Sequence, residues 1–338
     1  MKKLYIVGVC LLVIGSLLGG VAFAKPFYEG KVITLIVATG PGSGYDVYGR
    51  LVAQGMEKQL PGSTIIVKNV PGAGHILGTN EISRAKPNGL TFGTFNKGLI
   101  GNQIVGKGKI RFDLAKMSWL GSAASEGFAL YLSTRSSFKT LEDVMRGDKT
   151  FVTAGSGIGS INVTFAKLME YMGVLPNQKA VTGYSSAEAA QAMIAGDIDG
   201  WMGSYSTLKA LDDSGDAKVI LLIGQDPEVL AKDPDMPLLR KVVRDPAKHA
   251  RLLGFMDAQL VLGRPFAGPP GIPQDRLQIL REAFKKALQD PELLAIAKKA
   301  GIPIDHMSGE KAQEIVKDAL EQPPELVGVL KRVMGVKD

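Results

Sequence analysis

Two glycine-rich loops of similar design present backbone N–H groups, rather than charged side chains, to a possible ligand. The first loop is Gly40-Pro41-Gly42-Ser43-Gly44-Tyr45-Asp46 and the second is Pro71-Gly72-Ala73-Gly74-His75. Each follows a β-branched run and precedes an amphipathic segment, so each is expected to connect a strand to the N-terminus of a helix. Free N–H groups and the positive end of the helix dipole bind anions at such a point. The sequence therefore predicts a site for a small carboxylate or phosphate.

The first loop has more glycine than one tight turn requires, although a turn alone is the simpler interpretation because glycine adopts positive φ at little cost. Ser43 also suits the helix cap, and Asp46 lies in the first turn, where a carboxylate favours the dipole. Neither loop has the third glycine of the dinucleotide fingerprint, and no Gly-Lys-Ser/Thr of a P-loop follows. For His75 the alternative is an ordinary surface histidine. The contacts expected from these loops are Gly42, Ser43, Gly44, Tyr45, Asp46, Gly74 and His75.

Two elements later in the chain repeat the design of a strand, a small-residue turn and a helix. The first is residues 153–160, and the second begins at Gly183-Tyr184-Ser185. Their serines could serve only as helix caps, and Glu188 is placed to complete a capping box with Ser185. Tyr184 stands at the carboxyl end of a strand, where α/β sheets present groups to ligands. The contacts expected outside the first two loops are Asn96, Ser156, Gly157, Gly159, Ser160, Tyr184, Ser185 and Ser204.

The sequence shows no recognisable set of catalytic or metal-binding residues. Ala154 occupies the first position of the Gly-x-Ser-x-Gly nucleophile motif, and a serine nucleophile would also need a histidine nearby, although none follows before His249. The remaining histidines, His75 and His306, are not spaced as metal ligands with it. Glycine, serine, tyrosine and asparagine suit recognition. We therefore expect a binding protein with no catalytic residue, metal or cofactor, and a secreted hydrolase is the less favoured alternative.

The first 24 residues have the pattern of a secretory signal peptide. Lys2 and Lys3 precede an apolar stretch over residues 4–18, and Ala22-Phe23-Ala24 is a small-x-small cleavage site. The alternative, an uncleaved membrane anchor, is disfavoured because the apolar run is short for a span. We therefore expect a periplasmic protein, cleaved between Ala24 and Lys25.

Cleavage would remove Cys10, the single cysteine, so the mature chain would rely on its core rather than on disulfides. It would also remove Lys2 and Lys3 and so lower the net charge from +7 to +5. The remaining basic residues are scattered and lack the clustered footprint of nucleic-acid binding. We therefore expect no nucleic-acid partner.

Strands and helices alternate along most of the chain, which indicates an α/β fold with right-handed crossovers. Strands are expected near 31–39, 64–69, 90–95, 128–132, 150–154, 178–182, 198–202 and 218–223. Helices are expected near 45–60, 76–86, 140–146, 158–172, 185–195 and 204–213. Helices without strands are expected beyond Pro265, near 274–289, 291–300, 308–321 and 323–334. The economical architecture has two lobes, each a mostly parallel sheet flanked by helices, with residues 25–125 and 240–338 in lobe 1 and residues 126–239 in lobe 2.

In the order of its motifs, the chain resembles the periplasmic substrate-binding proteins of tripartite tricarboxylate transporters, the TctC or Bug family. That family's Pro-Gly-Gly-x-x-Asp, followed by an Arg-Leu-containing helix, is similar to residues 41–46 with Arg50-Leu51. Its Val-x-Asn-x-Pro-Gly-Ala-Gly-Gly is similar to residues 67–75, and Pro87-Asn88-Gly89 follows. A Ser-Gly-x-Gly-Ser motif corresponds to residues 156–160, and a Gly-Gln-Val-Asp motif to residues 196–199. The likeness covers most of residues 31–225 and is weak over the tail.

The resemblance implies a Venus-flytrap binding protein with its ligand in the cleft between the lobes. It also implies a carboxylate ligand, held by the first-lobe loops largely through backbone and water, and a membrane permease partner of one large and one small subunit. We expect a monomer, and a periplasmic sensor of carboxylates is the alternative function. The chain departs from the family pattern at His75 and Ser43, which replace glycines, and at Thr182-Gly183, which replaces a Pro-Tyr pair ahead of Tyr184.

Overall fold

The computed structural model describes residues 26–125, 127–157 and 160–336. These residues form two β-sheets with helices packed around them. The expected signal peptide and the candidate residue Gly159 lie outside the described residues. In the part of the chain that is described, no helix has both the length and the apolar character needed to cross a membrane.

The first sheet has six strands in the order β11-β4-β10-β3-β1-β2. Strand β1 forms where β-branched residues dominate, and its inward residues Ile33 and Leu35 are fully buried. It pairs in parallel with β2 and β3, whereas β10 and β11 pair antiparallel with their neighbours. The strands are β1 (Val32–Val37), β2 (Thr64–Asn69), β3 (Thr91–Thr94), β4 (Ser118–Ser122), β10 (Pro265–Gly268) and β11 (Met307–Ser308).

The second sheet has five strands in the order β7-β6-β8-β5-β9. Strand β6 pairs in parallel with β7 and β8, whereas β5 runs antiparallel to both β8 and β9. Every residue of β5 is buried, as expected for a strand near the centre of a covered sheet. The strands are β5 (Phe128–Ser133), β6 (Phe151–Gly155), β7 (Gln178–Thr182), β8 (Gly200–Ser204) and β9 (Ala217–Ile223).

Fourteen α-helices cover the two sheets over the described residues. Several helices begin at the cleft between the sheets, each after a strand, and the residues at their N-termini line the cleft. The helices are α1 (Gly44–Gln59), α2 (Ile76–Arg84), α3 (Leu99–Val105), α4 (Leu141–Arg146), α5 (Ile161–Tyr171), α6 (Ser186–Ala195), α7 (Tyr205–Ser214), α8 (Pro227–Lys232), α9 (Leu239–Val242), α10 (Ala250–Val261), α11 (Gln274–Leu288), α12 (Pro291–Lys299), α13 (Gly309–Leu320) and α14 (Pro324–Met334).

The two-lobed α/β architecture predicted from the sequence is confirmed, but the sheets are mixed rather than mostly parallel. The tail also differs from the predicted run of helices without strands, because two of its segments join the first sheet. Strand β10 lies between β3 and β4, and β11 lies at the edge of the sheet beside β4. Strand β10 has only four residues and begins with Pro265, which cannot donate a hydrogen bond to the ladder. Its pairing is therefore set by distant strands rather than by a local pattern.

The apolar core is continuous between the two lobes. One buried cluster contains Ile36 and Ile76 beside the first sheet, together with Leu130 and Phe165 beside the second. The C-terminal helix α14 contacts both α3 and α5, so it bridges the lobes. Any movement of the lobes must therefore pivot close to this shared core.

Candidate ligand-binding site

A cavity of about 60 Å³ lies in the cleft where the two sheets face each other. The lining comes from both lobes, and Phe128 and Trp201 supply an apolar wall. Of the residues selected from the sequence, those that line this cavity are Ser43, Gly44, Tyr45, His75, Asn96, Ser156, Tyr184, Ser185 and Ser204.

Asp46 is used to hold the first loop and is not among the residues that line the cavity. Its carboxylate accepts hydrogen bonds from the Gly42 N–H at 2.9 Å, from Arg50 Nε at 3.0 Å and from Asn69 Nδ2 at 2.8 Å. Burial alone would raise the pKa of Asp46, but hydrogen bonds from Arg50, Asn69 and Gly42 outweigh it and lower the pKa. The ionised carboxylate is therefore held by three hydrogen bonds within the protein, and its role is to fix the conformation of the loop. With its charge paired in this way, it does not repel an anion bound at the loop. Gly42, whose N–H donates to Asp46, also helps to hold the loop and is not among the residues that line the cavity.

Three other selected residues lie beside the cavity rather than on its lining. Gly74 lines an adjoining open groove. Gly157 approaches it from the other lobe so closely that a β-carbon on Gly157 would lie 2.6 Å from the Gly74 backbone nitrogen. Ser160 is fully buried, and its hydroxyl donates to the Gly157 carbonyl at 2.7 Å. These residues fix how closely the two lobes meet.

Arg264 lines the cavity but was not selected from the sequence. Its side chain is 4% exposed, and its guanidinium carbon lies 4.9 Å from the ring centroids of both Tyr45 and Tyr48. One terminal nitrogen donates to Thr207 Oγ1 at 3.0 Å, across the cleft. The sequence feature that could have identified Arg264 is its position directly before the short apolar run of β10. That signal depends on recognising β10 as a strand.

The N-termini of α1 and α7 meet at this guanidinium from opposite lobes. Ser43 caps α1 by accepting from the Asp46 N–H at 3.2 Å, whereas Ser204 precedes α7 without a side-chain cap. A β-carbon on Gly44 would lie 2.8 Å from Thr207 Oγ1 and 2.9 Å from an Arg264 nitrogen. Two positive helix ends and one guanidinium therefore share a small volume, and an anion between them would relieve their mutual repulsion.

His75 lines the cavity in an unusual backbone conformation. It has φ of +77°, and its side chain packs edge-on against the Tyr45 ring at 5.1 Å. Burial and, to a smaller extent, the positive charge of Arg264 lower the pKa of His75 to about 3. The imidazole is therefore neutral at physiological pH. It can offer a ligand one N–H donor and one acceptor, but no charge.

Acidification should destabilise the protein through His75. Because its pKa is about 3 when folded and about 6.5 when unfolded, the unfolded chain binds the proton first as the pH falls below 6.5. The expected loss in unfolding free energy between pH 7 and pH 5 is about 2 kcal/mol from this residue. Urea unfolding at both pH values measures this loss. The unfolding free energy of His75→Gly should fall by about 2 kcal/mol less than that of the wild-type protein. An equal loss in both proteins would contradict the burial of a neutral imidazole.

Within the described ranges, no group of three or more His, Cys, Asp or Glu residues is arranged to hold a metal ion. The cavity instead offers helix N-termini, hydroxyl groups, one guanidinium and one neutral imidazole. This inventory suits the binding and orientation of an anion.

The family model of the tripartite tricarboxylate transporter family receptor, TctC, matches residues 48–330. A UPF0065 protein of Bordetella bronchiseptica is 27% identical over 302 residues, covering 85% of this chain and 79% of that protein. The solved structure of the periplasmic binding protein BugD has a TM-score of 0.73 at 19% identity, covering 93% of this chain and 99% of BugD. MatC of Rhodopseudomonas palustris, solved with bound malate, has a TM-score of 0.69 at 18% identity, with coverages of 90% and 99%.

The resemblance drawn from the sequence motifs is thereby confirmed, and the two structures share the two-lobed fold. Because the family match spans most of the chain, we conclude that the chain belongs to the TctC family of extracytoplasmic solute-binding proteins, which bind their ligands and are not enzymes.

Proposed function

We propose that the protein captures a small carboxylate in the cleft and delivers it to a membrane permease of one large and one small subunit. The ligand class comprises di- and tricarboxylates and aromatic acids. MatC, which shares the fold, was solved with malate, a dicarboxylate, and this supports the class. The family's description as a transporter receptor supports delivery to a permease.

The observation that carries the proposal is the meeting of α1, α7 and Arg264 from the two sides of the cleft. A carboxylate placed there accepts hydrogen bonds from backbone N–H groups at Gly44 and Tyr45 and from the guanidinium. The candidate contacts selected from the sequence that line the cavity surround the same point, and Arg264 joins them.

Three further assignments belong to this proposal. Residues 1–24 act as a signal peptide that is cleaved between Ala24 and Lys25 and sends the chain to the periplasm as a monomer. Residues 25–125 and 240–338 form lobe 1, and residues 126–239 form lobe 2. The membership of the two sheets supports this division, because the first sheet draws its strands from both ends of the chain and the second from the middle.

A thermal-shift screen followed by calorimetry tests the proposal. Mature protein is screened against dicarboxylates, tricarboxylates, aromatic acids and amino acids, because a ligand of the folded state raises the melting temperature. The best acid is then compared with its amide by calorimetry. We expect the amide to bind at least ~10-fold more weakly, a difference of about 1.4 kcal/mol. Equal affinities, or no carboxylate among the ligands, would refute the anion site.

A further inference from the structure

His75 is a polar side chain that is buried in the cleft. It is 6% exposed and lines the cavity. Its Nδ1 makes no hydrogen bond within the residues that the structure describes. A buried polar atom in this state costs free energy unless something else satisfies it. In a ligand cleft, the ligand is the natural partner.

The backbone at His75 supports a role for its side chain. Among the described residues, Ala73 and His75 are the non-glycine residues with positive φ, at +49° and +77°. Glycine would adopt this conformation without strain, and asparagine tolerates it well. A strained residue that persists at a cavity points to a function for its side chain.

The chemistry of the partner follows from the charge around His75. The imidazole is neutral, so it offers a single donor and a single acceptor. The positive groups that suit a carboxylate are Arg264 and the α1 N-terminus instead. A neutral donor and acceptor suits an uncharged oxygen, either a hydroxyl or a carbonyl, better than it suits a carboxylate.

The two recognition groups are close enough to serve one small molecule. The Tyr45 ring contacts both His75 and Arg264. The centroid of the Tyr45 ring lies 5.1 Å from the centroid of the His75 ring and 4.9 Å from the guanidinium carbon of Arg264. The separation of imidazole and guanidinium therefore cannot exceed the sum of these distances. Both groups also line the same cavity, so one small ligand with an oxygen substituent close to its carboxylate can contact both.

We propose that His75 and Arg264 together select carboxylates with an oxygen substituent on the adjacent carbon, that is, 2-hydroxy or 2-oxo acids. This inference rests on the proposed function and specifies its ligand. Arg264 holds the carboxylate and His75 pairs with the substituent oxygen. A site that pairs a buried polar group with its ligand discriminates strongly against the analogue that lacks the partner, because the protein group is then left unsatisfied.

The test compares matched acids that differ only in that oxygen. The pairs are malate with succinate, lactate with propionate, and 2-oxoglutarate with glutarate, each titrated calorimetrically. We expect the wild-type protein to prefer the substituted member of at least one pair by ~10-fold or more. Comparing the 2-hydroxy acids with the 2-oxo acid shows whether His75 pairs with a hydroxyl or with a carbonyl. Only a hydroxyl can donate a hydrogen bond to the ring nitrogen.

Two variants isolate His75 without imposing a backbone penalty. His75→Gly removes the imidazole and suits the positive φ, so we expect the preference to fall below ~3-fold while the unsubstituted acid still binds. His75→Asn suits the same backbone and keeps a donor and an acceptor, so it should retain part of the preference. A loss that is specific to the substituted acid would support pairing with His75, because a merely structural role would weaken both members equally.

The failures of the two proposals are distinguishable. Equal wild-type affinity for both members of every pair would overturn this inference and leave carboxylate capture intact. An unchanged preference in His75→Gly would also overturn it, because another residue would then read the oxygen. Failure of every carboxylate to bind would refute the proposed function, and this inference with it.

Discussion

Replacing Arg264 by methionine should weaken carboxylate binding by at least ~100-fold, about 2.7 kcal/mol. The guanidinium lies between the Tyr45 and Tyr48 rings and against Gly44 at the start of α1. Methionine retains apolar contact with the rings but loses both the charge and the donors. Charge-assisted hydrogen bonds in a desolvated cleft are among the strongest polar contacts, so their removal dominates the loss.

The Arg264 prediction has two controls. Arg251→Met makes the same chemical change at an exposed position on α10, and it should bind like the wild-type protein. Arg264→Lys keeps the charge but loses the planar fork, so we expect an intermediate loss of ~10-fold. Calorimetry on variants with native circular dichroism gives the affinities. Binding of Arg264→Met within about threefold of wild type would exclude the guanidinium from the site.

Replacing Gly157 by alanine should block closure of the cleft. The added methyl group would lie 2.6 Å from the Gly74 backbone nitrogen on the opposite lobe, and neither backbone can yield without separating the lobes. Ligand favours the closed form through contacts with both lobes, so a variant that cannot close loses those contacts. We expect an affinity loss of at least ~10-fold, about 1.4 kcal/mol. The lobes themselves should remain folded.

Small-angle scattering measures this closure directly. Saturating ligand should reduce the radius of gyration of the wild-type protein but not that of Gly157→Ala. Gly173→Ala is the matched control, because Gly173 also has positive φ and its added methyl group would meet no atom within 4 Å. Closure of the Gly157 variant to the wild-type extent would show that this contact does not limit the motion. Identical wild-type profiles with and without bound ligand would mean a rigid cleft.

Local chemistry made much of the fold predictable from the sequence. Strands β2 and β7 were predicted at the observed bounds, and α1 within one residue, because β-branched runs and capped amphipathic segments specify them locally. Strands β4, β10 and β11 were missed, since each is stabilised by pairing with strands far away in the chain. The mixed character of both sheets depends on such distant pairings.

The candidate site shows the same division. The loops around Gly44 and Ser185 were found because a small-residue turn before a helix is a local pattern. Arg264 could not be found that way, because its place in the cleft depends on β10 lying between β3 and β4. Asp46 is the opposite case, because the sequence pattern selected it as a ligand contact although it is not among the residues that line the cavity. Its hydrogen bonds with Arg50 and Asn69, which the linear pattern does not reveal, engage it within the loop.

A crystal structure of the mature protein with the acid that ranks first in the screen would show where the ligand carboxylate lies. We expect a ligand carboxylate in the cleft, between the N-termini of α1 and α7. It should accept hydrogen bonds from backbone N–H groups of the first loop and from Arg264, at about 2.7–2.9 Å for the charged contact. A ligand seated elsewhere, or one whose carboxylate faces solvent while another group occupies this point, would contradict this expectation.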